Sequence, residues 1–298
     1  MKARILNLGS INIDHVYRVD HFVQPGETLA SDSLSVVLGG KGANQSFAIV
    51  CAGGEVKHLG RVNEADHWVF SYLINNGIDT SLIEPVNVAT GHAIIQVDSH
   101  GENCILLHGG ANQSFESNKL QAIISQYEAG DYLLMQNETN AIDFAFELAI
   151  KQGMKVVLNP APMSDAIHDL PLEELDTLIV NFGEAQSLSK QTALDDVSDE
   201  LLEMLPNTRI VITLAAEGAI LLNNGSLTRV AAKPAEVVDT TGAGDTFVGY
   251  FLSAIVDGLS DFDALDRACH AAALAVETAG AMPSIPKLGQ LMTTRSIQ

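Results

Sequence analysis

From residue 118 onward the chain alternates short apolar runs with helix-length segments, and that rhythm restricts the fold more than any other feature. Residues 118–128, 142–152 and 197–205 read as helices. Residues 132–135, 155–158, 177–180 and 209–214 read as strands, and 219–222 as the first half of a hairpin. Parallel strands need a crossover between them, so this alternation predicts an α/β fold: a mainly parallel sheet flanked by helices on both faces. Glu138, Asn159, Asn181, Glu184 and Thr213 follow these strands. All of them would lie along one edge of the sheet, where open α/β folds bind ligands. A first strand at 3–8 delivers Asn12 and Asp14 to the same edge, either as ligand-facing groups or as a satisfied Asx turn.

Two glycine-rich stretches interrupt this pattern. In the first, a β-branched run at 236–238 is expected to be a strand that ends in Asp239-Thr240-Thr241-Gly242-Ala243-Gly244-Asp245, with a helix over 247–256 behind it. Gly242 and Gly244 can take positive φ and let backbone N–H groups converge, and the helix N-terminus adds positive potential, so this turn is an anion cradle. Asp245 at that end is either an N-cap or a base placed beside the anion. The second stretch is Gly39-Gly40-Lys41-Gly42-Ala43-Asn44-Gln45, leading into a helix over 43–52. It lacks the Walker spacing, yet three glycines in four positions imply close backbone approach, and Lys41 and Asn44 are hydrogen-bond donors.

Further strands are expected at 16–38 and 56–59, and helices at 64–76 and 262–278. A hairpin pairs 91–98 with 103–108. With the pieces at 16–38 that hairpin makes a small sheet set apart from the main body, a lid built from about 12–38 and 88–110 on a single domain spanning 1–298. There is no internal repeat and no linker.

Composition removes several classes of function. A net charge of −21, with 16 basic residues spread thinly, argues against nucleic acid, whose phosphates need clustered Lys and Arg. An anionic ligand must therefore be held by local N–H groups and a metal ion. Hydrophobic residues at 47% indicate a globular chain, but no window approaches a membrane span and the N-terminus is too polar for a signal peptide. Cys51, Cys104 and Cys269 form neither a metal-site spacing nor a disulfide framework, which points to a reducing cytoplasm. A dinucleotide-binding reading fails because Gly9-Ser10-Ile11-Asn12 does not supply Gly-x-Gly-x-x-Gly after the first strand.

The two motifs, in this order, resemble the signatures of the ribokinase-like carbohydrate kinases, and the resemblance runs from Asn7-Leu8-Gly9-Ser10-Ile11-Asn12-Ile13-Asp14 to Gly280-Ala281-Met282-Pro283-Ser284-Ile285-Pro286. Gly39 to Gln45 is most similar to the branch that phosphorylates D-ribose. The resemblance implies transfer of the γ-phosphate of ATP to the 5-hydroxyl of D-ribose. A kinase of another small sugar or nucleoside and a non-catalytic sugar-binding regulator are the alternatives. It implies Asn12, Asp14, Gly40, Lys41, Gly42, Asn44 and Glu138 as sugar-binding residues, Asp245 as base, and Gly242, Ala243 and Gly244 as the anion hole. It further implies Asn181, Thr213, Leu214, Ala215, Ala216, Glu217, Gly218, Gly244 and His270 beside ATP. Mg2+ would sit by Asn181 and Glu184. K+ would be held by Asp239, Thr241, Ala275, Thr278, Gly280 and Ser284, and two copies would pair through the lid. One segment departs from the family pattern: Gly60-Arg61-Val62-Asn63-Glu64-Ala65-Asp66 has Asn63 where an Asp is usual and lacks the second glycine. His92 and His108 fall in the lid, within possible reach of the sugar.

Overall fold

A computed structural model describes residues 2–295, with side chains through 291. In chain order the elements are β1 (Ile5–Leu8), β2 (Asn12–Arg18), β3 (Ser33–Gly39), α1 (Lys41–Cys51), β4 (Val56–Asn63), α2 (His67–Asn75), β5 (Ile83–Val86), β6 (Gly91–Val97) and β7 (Asn103–His108). Then come α3 (Ser117–Ile124), β8 (Tyr132–Gln136), α4 (Ile142–Lys151), β9 (Lys155–Asn159), β10 (Thr177–Asn181), α5 (Phe182–Ser189), α6 (Leu194–Met204) and β11 (Arg209–Thr213). The chain closes with β12 (Ala219–Asn223), β13 (Ser226–Val230), α7 (Ala243–Val256), α8 (Asp261–Ala275) and α9 (Leu288–Arg295).

Among the described residues nine strands form one sheet in the order β13-β12-β11-β10-β9-β8-β1-β4-β5, parallel except for the β11-β12-β13 meander at one edge. Its central strands are buried on both faces, as parallel sheets require. Leu133, Met135, Val156, Leu158, Leu178, Val180, Ile210 and Ile212 face α3, α4, α5 and α6. Tyr132, Leu134, Val157, Ile179 and Val211 face α1, α7 and α8 on the other side. Among the described residues no helix is long and apolar enough to cross a membrane.

A second sheet, ordered β3-β2-β6-β7, forms the lid. Residues paired across strands share a face. Asp14 therefore shares its side with Val37, Ala93 and Leu107, whereas Ile13 shares the other with Leu38, His92 and His108. His92 and His108 thus project away from the side of Asp14, with ring centroids 5.0 Å apart.

The structure departs from the expected elements at one run and adds β5, α5 and α9. Residues 236–238 are not a strand. Val237 and Val238 are exposed, and the N–H groups of Val238 and Asp239 both donate to the Val276 carbonyl at the end of α8. With no neighbouring strand, β propensity has nothing to pair with. Of the added elements, α5 starts at a reciprocal capping box formed by its N-cap Asn181 and Glu184. The Gly60 to Asp66 departure is absorbed locally: β4 runs on through Asn63, whose Oδ1 accepts from Ala65 N at 2.8 Å and whose Nδ2 donates to the Val88 carbonyl.

The contact that aligns the two glycine motifs is between α1 and α7. A Cβ on Gly249 would overlap that of Ala48 and lie 2.8 Å from the Gln45 carbonyl, so the helices cross backbone to backbone there. Gly249→Val is expected to cost roughly 1–3 kcal/mol through overpacking. Thermal unfolding tests this: Tm should fall by several degrees, and an unchanged Tm would mean that the crossing does not need the glycine.

Candidate active site

The carboxyl ends of β1, β8, β9, β10 and β11 open toward α1 and α7, and the sequence motifs meet there. Gly242 is the N-cap of α7 with φ 78°, a conformation that costs an L side chain and that Gly takes freely. It packs against the 280–281 turn, where a Cβ would come within 2.8 Å of Ala281 Cα. Gly40 has φ 94° and lies over the β1-β2 connection, where a Cβ would meet Asn12 N and the Ser10 carbonyl at 2.9 Å.

Asp245, the third residue of α7, is buried and does not spend its carboxylate on a helix cap. Its Oδ2 accepts from Asn44 Nδ2 and its Oδ1 from Gln45 Nε2, both at 2.9 Å. Burial pushes its proton affinity up, while Lys41, Asn44 and Gln45 pull it down. Asn44 Oδ1 is buried and has no protein partner. That unpaired acceptor leaves a place for a donor from a ligand.

Lys41 is the cation of this cluster. Burial opposes its charge, but Asp245, Glu138, Glu184 and Asp14 together outweigh burial and raise its pKa. Asp14 is pushed up to about 6 by burial and by Glu138, with Lys41 acting against them. Glu184 is likewise raised by burial and lowered in part by its backbone hydrogen bond and Lys41. Glu138 Oε2 accepts from Ser10 Oγ at 2.5 Å and from Lys41 N at 3.1 Å. Asn12 Oδ1 accepts from Asn112 Nδ2 at 2.7 Å, which turns the Asn12 amide nitrogen outward as a donor. Gly42 N donates to Ser10 Oγ, and its Cα rests against Gly9, so Gly42 acts by its small size.

A cleft of about 170 Å³ is lined by Lys41, Asn159, Asn181, Glu184, Thr213, Gly242, Gly244 and Asp245, among others. Asn12 and Asp14 stand on β2 of the lid, Asn44 reaches Asp245 from α1, and Glu138 accepts from Lys41 N. Residues 214–218 and His270 do not line the cleft. Residues 214–218 form a tight turn at the end of β11, closed by Leu214 N donating to the Gly218 carbonyl at 2.7 Å. Glu217 there pairs with Arg229 at 3.1 Å. His270 is buried within α8. A roomier cleft of about 360 Å³ lies between β5 and α3, but it is mostly apolar and its Arg61, Glu84 and Lys119 are paired with one another.

The residues expected around a monovalent cation converge next to the Gly242 turn. Asp239 Oδ1 accepts from Thr241 N and Oγ1, and Oδ2 accepts from Gly280 N at 2.8 Å. Ala275 O accepts from Thr278 N, and Ser284 Oγ donates to the Ala281 carbonyl. The donor set is all oxygen, which suits an alkali cation held largely by carbonyls. At Asn181 and Glu184 the capping box uses Glu184 Oε2, and a carboxylate has a second oxygen to offer. Among the described residues no three His, Cys, Asp or Glu are gathered for a metal. A hard divalent ion bound through one or two protein oxygens plus phosphate and water fits that arrangement.

Sequence reading passed over Ser10, Gln45, Asn112 and Gln136, which hold the site from behind. The available signal was polarity out of place: Asn7 interrupts the apolar run of β1, and Gln136 ends that of β8, yet both are fully buried.

The fold and this cluster define a sugar-kinase architecture, and comparison with known proteins agrees. Residues 2–288 match the model of the pfkB family of carbohydrate kinases. The chain is 35% identical to the ribokinase of Haemophilus influenzae over 295 residues, covering 96% of each chain, and 34% identical to that of Schizosaccharomyces pombe, covering 95% of each. Among solved structures it is similar to Cryptococcus neoformans ribokinase in complex with ADP (TM-score 0.84, 34% identity, 98% of this chain and 99% of that one). It is also similar to Arabidopsis thaliana ribokinase complexed with ribose and ATP (TM-score 0.86, 27% identity, 98% of each). The chain belongs to the pfkB family of carbohydrate kinases.

Proposed function

We propose that this chain transfers the γ-phosphate of ATP to the 5-hydroxyl of D-ribose. The observation that carries the reading is Asp245: a buried carboxylate at the head of a helix, clamped by two amides, beside Lys41 and a glycine turn. The kinship to ribokinases over nearly the whole chain supports ribose as the acceptor. Asn12, Asp14, Gly40, Lys41, Asn44 and Glu138 hold the sugar, Gly42 letting α1 close against Gly9 behind them, and Asn44 Oδ1 accepts a hydrogen bond from one of its hydroxyls. Asp245 takes the proton of the attacking hydroxyl as the new O–P bond forms and the bond to the leaving ADP oxygen breaks. The N–H groups of Gly242, Ala243 and Gly244 receive the charge that spreads over the equatorial oxygens of the transferring group. Asn181, Thr213 and Gly244 border the nucleotide within the cleft, and Leu214, Ala215, Ala216, Glu217, Gly218 and His270 border it beyond the cleft.

Two ions complete the reading. Asn181 and Glu184 would hold Mg2+, which neutralises phosphate charge when bound. Asp239, Thr241, Ala275, Thr278, Gly280 and Ser284 would hold K+. Since Gly242 packs on the 280–281 turn, ordering that loop would order the anion hole. Initial rates of ADP formation on a panel of sugars and nucleosides, run in K+ and in Na+, test both parts. D-Ribose should give the highest kcat/KM, and K+ should raise the rate. A different best substrate would reassign the pocket, and equal rates in the two salts would remove the cation site.

The lid supplies a surface for a second copy. Val36, His15, Ile94 and Leu106 form one cross-strand row, and Val36, Ile94 and Leu106 are 48%, 39% and 69% exposed. An apolar sheet face of this kind is usually covered. A homodimer through the lid is expected, and a monomer mass by light scattering at assay concentration would dismiss it. The exposed thiol of Cys104 fits a reducing cytoplasm, which recovery in the soluble fraction of disrupted cells would check.

A further inference from the structure

The Asp245 carboxylate ends a buried chain of amides whose orientations are set from both ends. At one end Asn7 Nδ2 donates to the Gly42 carbonyl at 2.9 Å and to Ser46 Oγ at 2.8 Å. A carbonyl only accepts, so Asn7 presents its Oδ1 to Gln136. Gln136 Nε2 donates to that oxygen at 3.0 Å and to Gln45 Oε1 at 2.8 Å. Gln45 must then turn its Nε2 the other way. At the far end Asn159 Nδ2 donates to the Ile179 carbonyl at 2.9 Å, which leaves Asn159 Oδ1 to accept from Gln45 Nε2, also at 2.9 Å. Two independent carbonyls thus give the same answer, and amide orientation is a matter that only such a network can decide. The same Gln45 Nε2 reaches Asp245 Oδ1.

Such a chain is costly to bury and an apolar residue would fill the space as well, so its presence needs a reason. Asn7, Gln45 and Gln136 are 0%, 0% and 1% exposed, and they come from β1, α1 and β8. None of their side-chain hydrogen bonds goes to Asn44. What they fix is the direction of one carboxylate oxygen.

We propose that Gln45 is a positioning residue for phosphoryl transfer: its amide, oriented by Gln136 and Asn159, pins Asp245 Oδ1 inward and leaves Oδ2, on the Asn44 side, to take the proton. The inference rests on Asp245 acting as the base. The charged groups that face Asp245 are Lys41 from α1 and Glu138 from the segment after β8. With a fixed donor removed, the carboxylate both rotates more freely and holds its proton to higher pH.

The test compares Gln45→Met, similar in length and without a donor, with Gln136→Met, which keeps the donor to Asp245 but frees it to turn. For each, kcat, sugar KM, the acidic limb of the kcat profile and Tm are measured on the full chain. Gln45→Met should lower kcat about tenfold or more, leave KM within about threefold, and move the acidic limb to higher pH. Gln136→Met should shift both in the same direction by less, and it carries the test alone if Gln45→Met does not fold. A drop in Tm with kcat and its acidic limb unchanged would overturn the proposal. Asp245→Asn run in parallel separates the two readings. If it keeps turnover, the base assignment fails and takes the inference with it; if it abolishes turnover while Gln45→Met is normal, only the positioning role fails.

Discussion

Asp245→Asn is expected to lower kcat by about 10²- to 10⁴-fold, the range that a positioned base contributes. The substitution keeps the shape of the side chain, so the packing of α7 on α1 is preserved. It does set one amide nitrogen against Asn44 Nδ2 or Gln45 Nε2, a mismatch worth about 1–3 kcal/mol. Loss of a buried charge offsets part of that. Sugar KM and Tm should therefore move little while turnover collapses. Steady-state kinetics with a thermal melt checks this in one preparation, and near-normal turnover would take Asp245 out of the role of base.

Lys41→Met should have the next largest effect, by a different route. Asp14, Glu138, Glu184 and Asp245 all face this one ammonium. Removing it leaves buried carboxylates without their cation, and burial already holds Asp14, Glu184 and Asp245 above the ordinary range. Each would then keep its proton to higher pH. Since the base must be ionised to act, the acidic limb of kcat/KM should move upward. At its plateau kcat/KM should fall about 10- to 100-fold, the size of one charge-assisted contact. A pH profile of kcat/KM makes the comparison. An unshifted acidic limb would mean that Lys41 does not govern these carboxylates.

The parts of this molecule that were legible in the sequence are those written in local pattern. Apolar runs such as Val156 to Leu158 and Ile210 to Ile212 announce strands buried on both faces, and the helices between them force a parallel order. Glycine turns with a fixed spacing name their backbone geometry directly, as Gly242 does with its positive φ. The failures have physical reasons. The run at 236–238 has strand propensity, but propensity without a partner strand builds nothing. Asn181-x-x-Glu184 suggests ligand chemistry, but the same spacing is also a helix-start signal, and it is the reciprocal cap that opens α5. The amide chain from Asn7 through Gln136 to Gln45 joins residues 91 and 129 positions apart, and Gln45 reaches Asp245 across 200. No local pattern carries such a link. What betrays it in hindsight is a polar residue inside an apolar strand, Asn7 in β1, where burial demands a partner.

Every role assigned above converges on transfer of phosphate to one hydroxyl of one sugar. Incubating the protein with D-ribose, ATP, Mg2+ and K+ and following the products by phosphorus NMR checks that transfer. ADP should appear together with an ester resonance coupled to the protons of the sugar's C5. ATP turned over to free phosphate with the sugar unchanged, or an ester on another carbon, would contradict it.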